Sequence, residues 1–483
     1  MTDKETIVGL RAEVAAAYET ITALTDQVTA LVAQNGVLVE RLAELEKQQA
    51  TNSRNSSTPP SSDGLMRRPK SLRSKSGKKP GGQPEHPGMH LRVVDRPDHI
   101  VVIHPAVCGL CQEPLTQGEG VRMERRQVID VPPVRPVVTE YQGHTIRCPA
   151  CQALTTGTFP PDVRAPVQYG PRVRAIAVYL TQQQLLPYGR AREVITDLLG
   201  CPLTEGTLAA LVQAGAERLK PVENAIALAL RTGSLLHNDE TGLSVQGEGW
   251  WLHSASTARL THYGVHPKRG AAATDAIGIL PGFRGTSVHD GWAPYRRYAC
   301  RHALCNAHHL RELVWVEEQD GQAWAGDMAT LLRTIKQSVD AAREAGKTAL
   351  PRRTQARFHR RYARVIADGL AANPPPPERG PAQRGRPKQS KAKNLLDRLQ
   401  RTDEVLAFMT DLTIPFDNNQ AERDVRMVKV QQKVSGTFRS ASGAHAFARI
   451  RGYLSTLRKQ GIPLLAALES LFAGQPLLPD LQT

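Results

Sequence analysis

The 483-residue sequence predicts a multidomain α+β protein, in which a mixed-sheet domain with a helical insertion is preceded by a coiled coil, a zinc ribbon and a helix-turn-helix. Three observations predict it. A repeat of seven runs through residues 1–50. Two Cys-x-x-Cys pairs follow. From Gly233, short apolar stretches punctuated by glycines replace helical periodicity, and helical sequence resumes at His308.

The heptad puts Ile7, Val14, Ile21, Val28, Asn35 and Leu42 at position a, and Leu10, Ala17, Leu24, Leu31, Leu38 and Leu45 at position d. β-Branched residues at a with leucine at d favour a parallel two-stranded coiled coil, and a single Asn at a fixes register. Residues 1–50 are therefore expected to pair as a leucine zipper and make the protein a homodimer or higher oligomer; the alternative is one amphipathic helix folded onto its own chain. Residues 51–90 turn to Ser, Pro, Gly and basic residues with almost nothing apolar, the composition of a disordered basic linker. A second such stretch, 373–394, contains Arg384-Gly385-Arg386-Pro387-Lys388, similar to minor-groove hooks but short enough to arise by chance.

Residues 91–165 hold Cys108, Cys111, Cys148 and Cys151, four thiols in two knuckles, enough for a closed structural Zn2+ site. The 36 residues between the pairs include strand-like stretches at 126–131 and 137–146 that can bring the knuckles together as a ribbon. Seven cysteines, an odd number with four in these pairs, suit a reducing compartment better than disulfides. Residues 166–230 read as helices: one carrying Val173, Ile176, Ala177 and Leu180, a second ending at Gly200, and a third capped by Thr204. Helix, short turn, helix is the layout of a helix-turn-helix, with Thr204 and Thr207 opening the recognition helix as candidate DNA contacts. Many all-α proteins contain the same layout by accident.

With 62 Lys+Arg against 46 Asp+Glu the formal charge is +16, which favours a polyanionic partner without separating nucleic acid from an acidic membrane. No apolar run approaches the roughly 18 residues that span a bilayer. The start of the chain has no signal-peptide core, so a cytoplasmic protein without a membrane partner is expected.

Residues 231–440 are expected to form the catalytic domain, with a helical insertion at about 320–412, and residues 441–483 a C-terminal helical region. Strands are expected at 234–245, 250–256, 262–265 and 285–289. Alternation puts Asp239 and Glu240 on opposite faces of the first. Asp290 ends the fourth, where the chain turns at Gly291, and acids at strand ends are where α/β sheets place their sites. Glu422 opens a helix on which Arg426, Lys429 and Lys433 share its face. Three separated carboxylates suit a phosphodiester-cleaving site, because Mg2+ or Mn2+ prefers carboxylate oxygen and two such ions can serve the attacking and leaving oxygens. The cations beside Glu422 would then contact phosphates. The bland alternative stands beside this: Asn419-x-x-Glu422 has capping-box spacing, and Asp239 and Asp290 could be turn acids.

The blocks His237-Asn238-Asp239-Glu240-Thr241, His289-Asp290-Gly291-Trp292, Cys305-Asn306-Ala307-His308-His309-Leu310-Arg311-Glu312-Leu313 and Asp417-Asn418-Asn419-Gln420-Ala421-Glu422-Arg423 closely resemble those of the insertion-sequence 66 family of transposases. The resemblance covers nearly the whole chain, including Lys433-Val434-Ser435-Gly436-Thr437-Phe438-Arg439. It implies a ribonuclease-H-like catalytic fold, a DDE triad at Asp239, Asp290 and Glu422, DNA ends and target DNA as partners, small accessory proteins and a nucleoid location. The expected function is binding of an element's inverted-repeat ends followed by metal-dependent cleavage and strand transfer. A non-cutting zinc-containing DNA-binding regulator, and a nuclease of the same fold that never joins, are the alternatives. Cys305-x-x-His308 has the look of half a metal site without a second half, and is expected to serve as packing or support.

Overall fold

A computed structural model describes residues 3–49, 91–116, 120–375 and 389–482. The expected basic linker and the Arg384–Lys388 segment lie outside them. Helix α1 (Asp3–Gln49) is a single continuous helix. Its heptad side chains from Val14 to Leu45 stand in solvent, Leu24 and Leu31 being 54% and 59% exposed. Residues 91–165 carry one small ladder, β1 (Thr145–Arg147) antiparallel to β2 (Leu154–Thr156). The strand-like stretch at 126–131 forms no strand, and that at 137–146 forms one only from Thr145. β-Propensity describes fit to a packed pleated surface, and Val128, Val137 and Val138 have no such surface: all three are almost fully exposed.

Helix α2 (Pro171–Val178) runs on into a wider π turn at Tyr179–Gln183. α3 (Tyr188–Leu199) stops at Gly200, and α4 (Glu205–Thr232) starts at Thr204, whose hydroxyl accepts from the Thr207 amide at 3.1 Å. Ala177, Ala191, Ile195, Leu203 and Leu208 give this trio its own core.

α4 leads into a meander of β3 (Leu235–Val245), β4 (Glu248–Ser256) and β5 (Thr261–His266). Gln246 and Gly247 join the first two with φ of 54° and 83°; positive φ at both central positions is the hairpin turn whose twist matches its strands. After α5 (Ala271–Ile277) come β6 (Thr286–His289) and β7 (Arg301–Leu304), giving a five-stranded mixed sheet in the order β5-β4-β3-β6-β7. β6 and β7 run parallel to β3. The strand β7 has no counterpart in the sequence reading: it is four residues long and opens with Arg301 and His302, so pairing with β6, not local pattern, makes it a strand.

α6 (Asn306–Asp320), α7 (Ala323–Glu344), α8 (Arg352–Ala372), α9 (Lys391–Leu399) and the short α10 (Thr402–Val405) and α11 (Ala407–Thr410) then enclose one apolar core around Leu331, Leu332, Ile335, Tyr362 and Leu396. Full burial of each leucine or isoleucine there contributes about 1.5–3 kcal/mol. The chain returns to the sheet as α12 (Asn419–Ser435) and ends in α13 (Ala441–Lys459) and α14 (Leu464–Phe472). A second core joins Leu219, Ile226 and Leu230 of α4 to Ile450 and Leu454 of α13 and Leu471 of α14. α4 thereby belongs both to the helical trio and to the sheet domain. No described helix is long and apolar enough to cross a membrane.

Candidate active site

β3 and β6 are parallel neighbours with His237 opposite Val288. Two residues further along each lie Asp239 and Asp290, so the two acids stand level on adjacent strands and on one face. Their charges meet. Burial first, then the nearby Glu240 and Asp290 carboxylates, push the Asp239 carboxyl up to about 8. Asp290 Oδ1 accepts the Trp292 amide at 2.9 Å, which fixes the turn at Gly291, where φ is 90° and a side chain would strain the backbone.

α12 delivers the third acid because it lies along β3 in the same direction. Asn418, just before the helix, pairs with the His237 ring at 2.8 Å. The Lys429 ammonium donates to the Gly242 carbonyl at 2.5 Å, and beyond the helix the Phe438 amide donates to Ser244 at 3.0 Å. Four helical residues advance about 6 Å and two strand residues about 6.6 Å, so the step from Asn418 to Glu422 matches the step from His237 to Asp239. Along the sheet, Glu422 is therefore level with Asp239. Asn419 and Glu422 do not form a capping box: the cap of α12 is Asn418, the Asn419 amide donates to Asp417 Oδ1 at 3.1 Å, and the Glu422 oxygens face α6, Oε1 at 3.7 Å from His308 Nε2 and Oε2 at 3.6 Å from Arg311. Oε1 is buried with no hydrogen-bond partner. The His308 charge also acts on Asp239, against the burial and like charges that raise its carboxyl.

Residues 166–446, more than half of the chain, match the family model described as Transposase IS66 family. The chain belongs to the IS66 transposase family. A second model, described as a family of unknown function (DUF6444), matches residues 8–92. No match was found among curated proteins. Membership makes the chain a transposase, a DNA-processing enzyme with DNA as partner.

Several groups around the transposase's acids escaped sequence reasoning. Glu240 is buried beside them, its Oε2 accepting the Tyr295 hydroxyl at 2.5 Å and its Oε1 two Arg269 donors at 3.1 and 2.8 Å. Burial and then Asp290 push the Glu240 carboxyl up, against these bonds. Arg269 lies between two indoles, 4.8 Å from the Trp251 ring centre and 4.4 Å from that of Trp292. Nothing in the local pattern around Arg269 or Tyr295 marks them; the available hint was the acid directly after Asp239. His308 and Arg311 sit in the quoted Cys305–Leu313 block, but their apposition to Glu422 is a tertiary fact.

Arg426 and Lys433 are exposed on α12, and Lys429 is half buried. Thr204 and Thr207 are bonded to each other at the start of α4. In the transposase's N-terminal part, both cysteine pairs adopt one turn. The Cys108 amide donates to Glu113 and receives Gln112 at its carbonyl; Cys148 does the same with Ala153 and Gln152. Gln112 and Gln152 have φ of 61° and 63°. Backbone amides, Cys111 then Leu110 at one knuckle and Cys151 then Ala150 at the other, lower the Cys108 and Cys148 thiols. Each knuckle is thus shaped to present a thiolate. Among the described residues the two pairs do not gather into one ligand cluster; the group whose donor atoms all lie within 4.8 Å is Cys305, His308 and Glu422.

Proposed function

We propose that this transposase binds the inverted-repeat ends of its element and cuts and rejoins DNA at Asp239, Asp290 and Glu422, in a ribonuclease-H-like domain. What supports the reading is that Asp239 and Asp290 follow paired positions of two neighbouring parallel strands, and that the helix carrying Glu422 is tied to the first of these strands through Asn418 and His237. The donor set suits hard divalent cations, Mg2+ or Mn2+: Asp239 is crowded by like charge, and Glu422 Oε1 is buried without a partner, both of which a cation would relieve. When bound there, such ions supply activation of the attacking oxygen and stabilisation of the leaving one.

The chain's own residues hold that arrangement. His308 and Arg311 face the two Glu422 oxygens, and Asn418 fixes the helix to β3. Glu240, through Arg269, orders Trp292 beside Asp290. Water displaces the 3′-oxygen of the phosphodiester at the element's end, and the freed 3′-hydroxyl then displaces an oxygen at a target phosphodiester. Arg426, Lys433 and the remaining donors of Lys429 would steer phosphates toward the acids. The helices α2 to α4, with Thr204 and Thr207 at the start of the third, would read the ends as a helix-turn-helix. Pairing of α1 between two chains would bring two ends together. Each knuckle is shaped for a thiolate, and one structural Zn2+ held by Cys108, Cys111, Cys148 and Cys151 would have to draw the two pairs together from the separated positions they take among the described residues.

Asp239→Asn, Asp290→Asn and Glu422→Gln should each abolish cleavage of labelled element ends while leaving end binding intact; normal cleavage by any of them refutes the site. Incubating pre-cut ends with a target plasmid separates a joining enzyme from a nuclease that only hydrolyses.

A further inference from the structure

Cys305 closes β7 and His308 lies in the first turn of α6, three residues on, so their side chains share one side of the chain's turn into the helix. Glu422 arrives opposite them from α12. A ligand atom from each, sulfur, ring nitrogen and carboxylate oxygen, lies within 4.8 Å of the others. We propose that these three residues form a second cation site, which takes Zn2+ or a similar borderline divalent ion and shares Glu422 with the acid cluster.

Donor chemistry separates this site from the acids. Mg2+ takes oxygen ligands, whereas Zn2+ takes cysteine sulfur and histidine nitrogen readily. His308 Nδ1 and Glu422 Oε1 are both buried without a hydrogen-bond partner, and the 3.7 Å between His308 Nε2 and Glu422 Oε1 is too long for a hydrogen bond. The groups are apposed, not satisfied. Arg311 is the cation already present, but it faces Oε2 and leaves Oε1 open. The Cys305 sulfur is fully buried and accepts the Asn418 amide at 3.1 Å, while the Glu422 side chain is 30% exposed, which gives an ion a route in. Three protein donors with one open position make an exchangeable site, unlike a closed four-thiol one. The missing half of Cys305-x-x-His308 is Glu422.

A consequence rests on the proposed catalytic role of Glu422. An ion held by Cys305 and His308 draws Oε1 away from the acids, so zinc-type ions inhibit Mg2+-supported cleavage.

The test uses the full chain stripped of metal, with Co2+ as the spectroscopic probe and Zn2+ counted by elemental analysis. Wild type should bind one more equivalent than Cys305→Ser and show stronger sulfur-to-cobalt absorption, the cysteine knuckles contributing equally to both. His308→Gln keeps every thiol and should weaken Co2+ binding by at least about tenfold, the scale of a lost metal-site interaction. Equal stoichiometry and absorption in wild type and both variants overturns the site. In cleavage assays at fixed Mg2+, added Zn2+ should inhibit wild type and spare Cys305→Ser relative to its own zinc-free rate; equal inhibition of both overturns the sharing of Glu422. A wild type that binds the extra ion yet cleaves nothing in Mg2+ alone upholds the site and overturns the proposed function instead.

Discussion

Asn418 and His237 meet at 2.8 Å, and the same asparagine donates its side-chain amide to the Asn238 carbonyl at 2.8 Å. Together with Lys429 on the Gly242 carbonyl and the Phe438 amide on Ser244, that residue sets the glutamate's helix in register with the strand of the first aspartate. Asn418→Ala leaves the buried His237 ring nitrogen and the Asn238 carbonyl unpaired, at about 1–3 kcal/mol for each group. The urea unfolding midpoint should fall, and end cleavage should fall more than end binding. Unchanged stability would show that the contact does not hold α12 in place.

Arg269 donates twice to Glu240 while stacked between Trp251 and Trp292. Lysine keeps the charge but neither the fork nor the plane. Arg269→Lys should therefore lower cleavage and alter the tryptophan fluorescence together, with Trp292 released beside Asp290. Cleavage at the wild-type rate would leave Glu240 and its partners outside the machinery.

Stability of the metal-free protein should peak near pH 6.5. Burial above all pushes His253, His289 and His309 down to about 4, 3 and 3. From pH 6.5 down to about 4 the unfolded chain takes up these protons and the folded one does not, so stability falls with pH. Above pH 6.5 the sign reverses. Asp239, up at about 8 through burial and like charges, keeps in the folded state a proton that the unfolded chain has lost. His308 adds to the same trend: burial opposes its charge, but Cys305 and Glu422 outweigh that and raise it to about 9. Urea midpoints at pH 4.5, 6.5 and 8.5 in chelator check this; a steady rise across the three would contradict it.

The apolar heptad of α1 is exposed along its described length. Leu24→Lys with Leu31→Lys should convert the full chain from dimer to monomer in sedimentation, because a buried seam cannot hold charge at successive d positions. A wild-type protein that sediments as a monomer at micromolar concentration would remove the zipper.

Local chemistry made much of this legible in the sequence. Thr204 and Gly200 marked a cap and a stop because capping is decided within one turn of helix. Alternation and glycines marked β3, β4, β5 and β6, and the three acids stood out by position and by likeness to a family. Other features were invisible for one reason: they depend on contacts between residues far apart in number. β7 is a strand because β6 lies beside it, whereas Val137 and Val138 have strand-like residues and no partner. Lys429 shared a stripe with Arg426 in the sequence, yet its ammonium is turned to the Gly242 carbonyl.

What the sequence by itself determined was which elements form and which residue types could carry chemistry, since periodicity, caps and donor type are properties of neighbours along the chain. Only the tertiary structure decided that α12 runs along β3 in matching steps, that Glu422 faces His308 and Arg311, and that Cys305 has a second half to its site. Those outcomes follow from packing and polar contacts between segments about 110 to 180 residues apart, a distance over which a linear pattern carries no geometry.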